Sequence, residues 1–385
     1  MSPFQMRLRA FHPLVRFWLC LAGAGLALAC RYSVRDTGFI DLAAAAGAYR
    51  LELSAPPSFP AESRRALEQA AAVMLLDSNI TLETGPAPRP GDPAILRLVD
   101  AEARSFPIAT LTNATLDAYK LLESVATSPL RDRLYRESLR AYGLVLLIEG
   151  SDTTANQRAQ AAAQAAIDAT AKLIPGMPKP VDIPPQLIVL PAAAQAAEAI
   201  LLWGLGFEPA PSDQPRLALL YGRGRRLGSP LEGPLITQTV LRERLVLIGQ
   251  DCECDLDRAW LRGPLYPGRW DRSLQEVAAK VLGFDPENPM VRAEVSRIIE
   301  RGPQPGQKKK NAGTAQALGY SEESVESPTN DQPDQSDQSD QSDRTDRTDP
   351  LQPAQSHRTL WIILAGAVTA AITAGTWLFI RSSSR

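Results

Sequence analysis

The chain has 385 residues, of which 22% are charged and 44% hydrophobic, and its formal net charge is −2. A charge this close to zero gives no general attraction to nucleic acid, which is not expected as a partner. The two histidines, His12 and His357, lie near the two ends. That excludes Ser-His-Asp catalysis, Cys-His catalysis and histidine-ligated zinc from the body between them.

Arg7, Arg9 and Arg16 precede the apolar segment 17–29. A positive region followed by a short apolar core is the form of an export signal, expected over residues 1–29. The segment ends in Ala27-Leu28-Ala29-Cys30. Ala-x-Ala suits an ordinary leader-peptidase site. The same residues resemble a bacterial lipobox, with Cys30 as the lipidated first residue, although Ala27 stands where a leucine is usual. An uncleaved anchor helix is the third alternative.

The body begins with Tyr49-Arg-Leu-Glu-Leu53, whose alternation predicts a half-buried strand. Pro56, Pro57 and Pro60 end it. A helix is predicted over 62–76, with Leu67, Ala70, Val73 and Met74 on one face. Strands are predicted over 80–82 and 95–99, and a helix over 130–142. The uninterrupted apolar run Leu144-Val-Leu-Leu-Ile148 suits a central strand buried on both faces. Ser151 or Asp152 can cap the alanine-rich helix that follows, to Leu173. The proline-rich connection 175–185 is taken as a lobe boundary.

Beyond it, strands are predicted over 187–190, 216–221 and 245–248, with a helix over 192–205. The stretch 241–248 can alternatively continue a helix from Ile236. Ser273-Leu-Gln-Glu276 forms a capping box in front of the stripe Leu274, Val277, Ala278 and Val281. Asn288-Pro289 starts a last helix, with Val291, Val295 and Ile298 on its apolar face. Strands alternating with helices predict an α/β body with a partly parallel sheet. The strand, glycine, polar loop, helix order recurs near residues 148 and 221, which suggests two similar lobes, 36–180 and 181–301.

Residues 302–356 lack apolar periodicity and carry Asp/Gln/Ser and Arg-Thr-Asp repeats. This composition buries too little surface to offset chain entropy, and a disordered tether is expected, with a docking strip as the alternative. The run 359–380 has no charge and no proline. As a helix it is about 33 Å long, enough for a transmembrane span. Trp361 and Trp377 suit its two interfaces, and Arg381 and Arg385 suit a cytoplasmic tail over 381–385. The body is therefore expected on the far side of a cell inner membrane, in a periplasmic compartment where disulfides are permitted.

Two segments could carry chemistry. Asp251-Cys-Glu-Cys-Asp-Leu-Asp257 holds Cys252 and Cys254. They form a structural disulfide, buried thiols or a thiol–disulfide redox pair. The flanking acids raise thiol pKa and work against the reactive thiolate. Leu256 and Arg262 occupy positions where a calcium loop needs glycine and glutamate, so no metal is expected there. The second segment is Gly222-Arg-Gly-Arg-Arg-Leu-Gly228. Glycines after a strand can bring N–H groups to a phosphate, which makes Gly222, Arg223, Gly224, Arg225 and Arg226 a candidate anion or nucleotide site. It lacks the P-loop's Lys-Ser/Thr. The alternative is a turn whose arginines pair with nearby acids. If the strands ending at Tyr221 and Ile248 are parallel, this turn and 251–257 meet at one sheet edge. Trp260, Tyr266 and Trp270, set among prolines and glycines, suit core packing or a partner-binding patch. No cofactor is expected.

Cys30-Arg-Tyr-Ser-Val-Arg-Asp36, Gly222 to Gly228, Asp251 to Asp257 and Gly263 to Trp270 together resemble a family of exported, membrane-anchored bacterial envelope proteins. The resemblance implies an envelope location beside a transport complex and supplies no catalytic assignment. A thioredoxin-like arrangement of the lobes is compatible with the element order, without the Cys-x-x-Cys motif. The expected function is noncatalytic binding or scaffolding, with the lipid bilayer and other envelope membrane proteins as partners. The alternatives are a redox protein using Cys252 and Cys254 and an anion-binding module at Gly222–Gly228.

Overall fold

The computed structural model describes residues 32–40, 48–89, 91–111, 117–250, 258–301 and 317–319. The export signal with Cys30, the 251–257 segment with both body cysteines, most of the expected tether and the 359–380 span lie outside them. Among the described residues no helix is long and apolar enough to cross a membrane.

The architecture is α/β with two mixed sheets. The first is built from β1 (Tyr49–Ser54), β2 (Ile80–Thr84), β3 (Ala94–Val99) and β4 (Ser105–Leu111), in the order β2-β1-β3-β4. β1 and β2 are parallel, joined by helix α2 (Ala61–Met74), while β3 runs antiparallel to both β1 and β4. One face is apolar: Leu51, Leu53, Leu96 and Leu98 meet Leu67 and Ala70 of α2, and Leu122 and Val125 of α3 (Ala118–Ala126). β4 and α3 are additional to the elements read from the sequence. Val73, expected on the buried face of α2, is 57% exposed.

The second sheet has the order β6-β5-β7-β8, from β5 (Leu144–Ile148), β6 (Gln186–Leu190), β7 (Arg216–Tyr221) and β8 (Arg225–Arg226). A short β9 (Leu231–Glu232) pairs with the start of β7. β5 and β6 are parallel across helix α5 (Thr153–Ala171), whose cap is Asp152, accepting from the Ala155 N–H. β7 is antiparallel to β5 and to β8. The two sheets thus repeat one strand order and one pattern of directions.

Period-two alternation divides β5 between two cores. Val145 and Leu147 face Leu217, Leu219 and the helices α5, α7 (Gln238–Ile248) and α9 (Pro289–Arg301). Leu144, Leu146 and Ile148 face Ala218, Leu220 and the helices α4 (Pro129–Arg140), α6 (Ala199–Gly204) and α8 (Arg272–Leu282). All five β5 residues are buried, and each such large side chain contributes about 1.5–3 kcal/mol on leaving water.

Three expectations are corrected. Residues 245–248 belong to α7 and are not a strand: Leu241, Leu245 and Ile248 recur at helical spacing and share one core. The premise that strands ending at Tyr221 and Ile248 run parallel to one edge therefore falls. The boundary expected between residues 180 and 181 does not separate the sheets, because β5 before it pairs with β6 after it, from Leu144↔Gln186 to Ile148↔Leu190. The proline-rich connection completes a crossover, and the chain passes between sheets along α3 and α4. Third, the N-cap of α8 is Asp271, which accepts from the Leu274 N–H, and not Ser273.

Two irregular segments tie the body together. Residues 32–40, which include the one-turn helix α1 (Val34–Thr37), are buried throughout. The Val34 N–H donates to the Gln250 carbonyl at 2.8 Å, and the Arg223 N–H donates to the Gly38 carbonyl at 2.9 Å. Residues 263–270 form a strap between the sheets. On one side Arg225 bridges to Leu265, and the Arg226 N–H donates to the Pro264 carbonyl. On the other, the Asn79 amide donates to the Tyr266 carbonyl at 3.0 Å and accepts from the Gly268 N–H at 2.9 Å. The Tyr49 hydroxyl donates to the Leu265 carbonyl at 2.5 Å.

Candidate functional site

The Gly222–Gly228 turn is the sequence-derived site that the described residues contain. Tyr221 ends β7 with its side chain in the core, and the hairpin turns at once because Gly222 and Gly224 adopt φ of +57° and +81°. Gly38 packs against this turn so closely that an added Cβ would lie 2.9 Å from the Gly222 Cα. Its glycines therefore admit another piece of backbone, the 32–40 segment.

The arginines are engaged with the protein itself. Arg223 pairs with Glu287 at 3.2 Å and lies 5.3 Å from the centre of the Trp270 ring. Arg225 is 2% exposed and donates to the carbonyls of Leu261 at 3.1 Å and Gly263 at 2.8 Å. Arg226 donates to the Gly228 carbonyl at 2.8 Å and to the Leu205 carbonyl at the end of α6. The acid pairing expected of a structural turn is present at Arg223, and backbone carbonyls take the other two.

Trp260, Tyr266 and Trp270 are core residues, each no more than 2% exposed. Tyr266 stacks against Tyr135 with centroids 5.0 Å apart, and Trp270 meets Tyr135 edge-on at 5.4 Å. Burial pushes the Tyr135 hydroxyl up to about 12 and that of Tyr266 well above its usual value, so both stay protonated near neutral pH.

Open α/β folds gather ligands beyond the carboxyl ends of their parallel strands. Beyond β5 the loop Glu149-Gly-Ser-Asp152 is latched to residues 212–216. The Ser151 and Asp152 N–H groups donate to the carbonyls of Ser212 and Asp213 at 3.1 and 3.0 Å. The Ser151 hydroxyl donates to the Asp213 carboxylate at 2.5 Å. Gln195 donates to the Glu149 carbonyl at 2.5 Å and accepts from Arg216 at 3.0 Å. Sequence reading did not single out this cluster, because its members are far apart in the chain and no motif joins them. Chemically it holds a serine against a carboxylate with no imidazole or amine in the network, the arrangement of a loop latch rather than of an activated nucleophile.

No protein-family model and no curated protein matches the chain.

Beyond β1 the corresponding loop is Ala55-Pro-Pro-Ser-Phe-Pro60, which offers no titratable side chain. Toward the other end of this strand pair, a shallow groove of about 470 Å³ lies between α2 and the edge strand β2, lined by Glu68, Ala71, Leu75, Leu76, Ile80 and Leu82 among others. It presents apolar contact surface and one carboxylate. Among the described residues no group of three or more His, Cys, Asp or Glu side chains is placed to hold a metal ion.

Proposed function

We propose that the chain is a noncatalytic binding or scaffolding protein of a bacterial envelope. Its α/β body comprises two thioredoxin-like lobes, held at the inner membrane by residues 359–380 and, at the other end, by lipidated Cys30. The observation that carries this reading is the repeated sheet. Both sheets order their strands second, first, third, fourth, with a parallel first pair and an antiparallel second hairpin. In both, the loop leading from the first strand into the crossover helix lacks the cysteine pair that a redox lobe needs there. The arginines of the candidate anion turn are engaged by Glu287 and by backbone carbonyls, which further supports a body built to hold its shape.

The reading separates from its redox competitor in one assay. Full-length protein in mild detergent is compared with the C252S/C254S double variant for turnover of a small disulfide substrate in the presence of a dithiol. The two rates are expected to coincide with the uncatalysed rate; a cysteine-dependent rate above it would establish the redox reading instead. Placement is tested in parallel. Protease added to spheroplasts should degrade the body, and deletion of residues 359–380 in a C30S background should release it into the soluble fraction. A fully shielded body would refute the proposed orientation.

A further inference from the structure

Residues 317–319 stand apart in sequence from the rest of the described body, yet they are seated in it. Leu318 is fully buried and belongs to the core that contains Leu227, Leu231, Ile236, Leu241 and Leu245. Its carbonyl accepts from the Ser229 N–H at 2.9 Å and from the Ser229 hydroxyl at 3.3 Å. The Ala317 carbonyl accepts from Arg244 Nε at 3.1 Å. Arg244, 3% exposed, is itself fixed by a 2.6 Å bond to the Ser229 carbonyl. Glycine is required at 319 for two reasons. Its φ is +77°, and an added Cβ would stand 2.8 Å from the Arg244 guanidinium and closer still to the Ser229 hydroxyl. Gly228 keeps the opposite wall open in the same way, since a Cβ there would lie 2.8 Å from the Leu318 carbonyl.

The contact has the anatomy of peptide recognition: one apolar anchor in a pocket, main-chain carbonyls read by fixed donors, and a glycine demanded by backbone conformation. Its energetics are balanced. One buried leucine and a few hydrogen bonds are of the same order as the entropy of ordering three residues, so seating is favourable chiefly because the segment is covalently attached.

We propose that Ser229, Arg244 and the apolar cluster beneath them form an exchangeable peptide-binding site, whose ligand is a short Ala-Leu-Gly segment and whose resident occupant is residues 317–319 of the same chain. The described body thus extends to Gly319 and does not end at α9. Any partner that uses this site must carry a leucine followed by glycine and must displace the resident segment.

The test uses the full chain and hydrogen exchange of residues 225–248. L318D removes the anchor from the tail side and alters no residue of the site; G319V does the same through the backbone. Either variant is expected to speed exchange around Ser229 and Arg244 by about 30-fold or more, the scale of losing one buried leucine. A synthetic peptide of residues 312–324, added at millimolar concentration to the L318D chain, should restore the protection, and the same peptide carrying L318D should not. Labelled wild-type peptide should bind the L318D chain at least about tenfold more tightly than the wild-type chain, whose site is filled. Unchanged exchange in both variants would overturn the site. Lost protection that the peptide fails to restore would overturn its exchangeability. A wild-type dimer that L318D converts to monomer would place the segment on a second copy and overturn its assignment to the same chain.

Discussion

Arg131 shows what the buried arginines of this protein are for. It is 2% exposed and donates to the carbonyls of Ser124, Val125 and Thr127, which close the last turn of α3, and to Pro267 in the strap. Burial lowers its pKa, yet it stays charged because guanidinium starts so high. Arg35 does the same for α4, donating to the carbonyls of Leu139 and Ala141 at 3.0 and 3.1 Å. A chain with 32 prolines has many loop carbonyls that no regular ladder serves, and a side chain with five donors can collect them. R131M keeps much of the volume and removes every donor. It should cost at least about 3 kcal/mol, since several buried carbonyls lose their partner at roughly 1–3 kcal/mol each. R131K should recover only part of that, because one ammonium cannot span the same acceptors. Urea denaturation of the three proteins measures both differences.

At the scale of elements, continuous or alternating apolar runs announced β1, β3, β5 and β7, because burial of a strand is written in its own residues. The 245–248 stretch misled because a four-residue apolar run carries no period; only Leu241, one turn earlier, discloses the helix. β4 was hidden by Pro107 and by a register shift beside Arg97, which break its pattern. The arginine turn was visible as a motif, with acid pairing among its readings, but its actual acceptors, Glu287 and the carbonyls of residues 205, 261 and 263, lie too far along the chain to be assigned from it. The start of α8 is a like case: an acid and a serine compete, and Asp271 wins by accepting from the Leu274 N–H at 3.0 Å. Burial pushes the Asp271 carboxyl up, but bonds from the Ser273 hydroxyl and two backbone N–H groups outweigh it and hold the group below its usual value. Its folded pKa is thus depressed. The stabilisation is fully present above the unfolded value and is lost as pH falls through the folded one. D271A should therefore cost about 1 kcal/mol at pH 7, with the gap to wild type closing below about pH 4. D271N should match wild type at pH 7 and keep its stability on acidification, so that wild type falls below it under about pH 4. A gap that stays constant on acidification would count against an ionised cap.

The whole body depends on residues that belong by sequence to one sheet and by packing to the other. Trp203, on α6 between β6 and β7, lies in the core of the first sheet, 5.7 Å from the Tyr49 ring and 5.8 Å from that of Phe106, with Arg104 over its face at 5.6 Å. The first sheet buries a single face, and a small one-sided core is marginal by itself. The second sheet buries both. Stability should therefore flow from the second sheet to the first, through Trp203, the strap and Arg131. In the wild type, circular dichroism and hydrogen exchange should report one cooperative denaturation transition. W203A removes an indole of which 7% is exposed, at a cost of about 3–5 kcal/mol. The loss should fall on the first sheet: exchange in 49–54 and 94–111 should accelerate toward the unfolded rate, while that of 144–148 changes little, and the single transition should split in two. If 144–148 loosens equally and the transition stays single, the two cores fold as one unit and the direction of support argued here is wrong. If 49–111 keeps its protection, the first sheet stands by its own packing and Trp203 merely covers it.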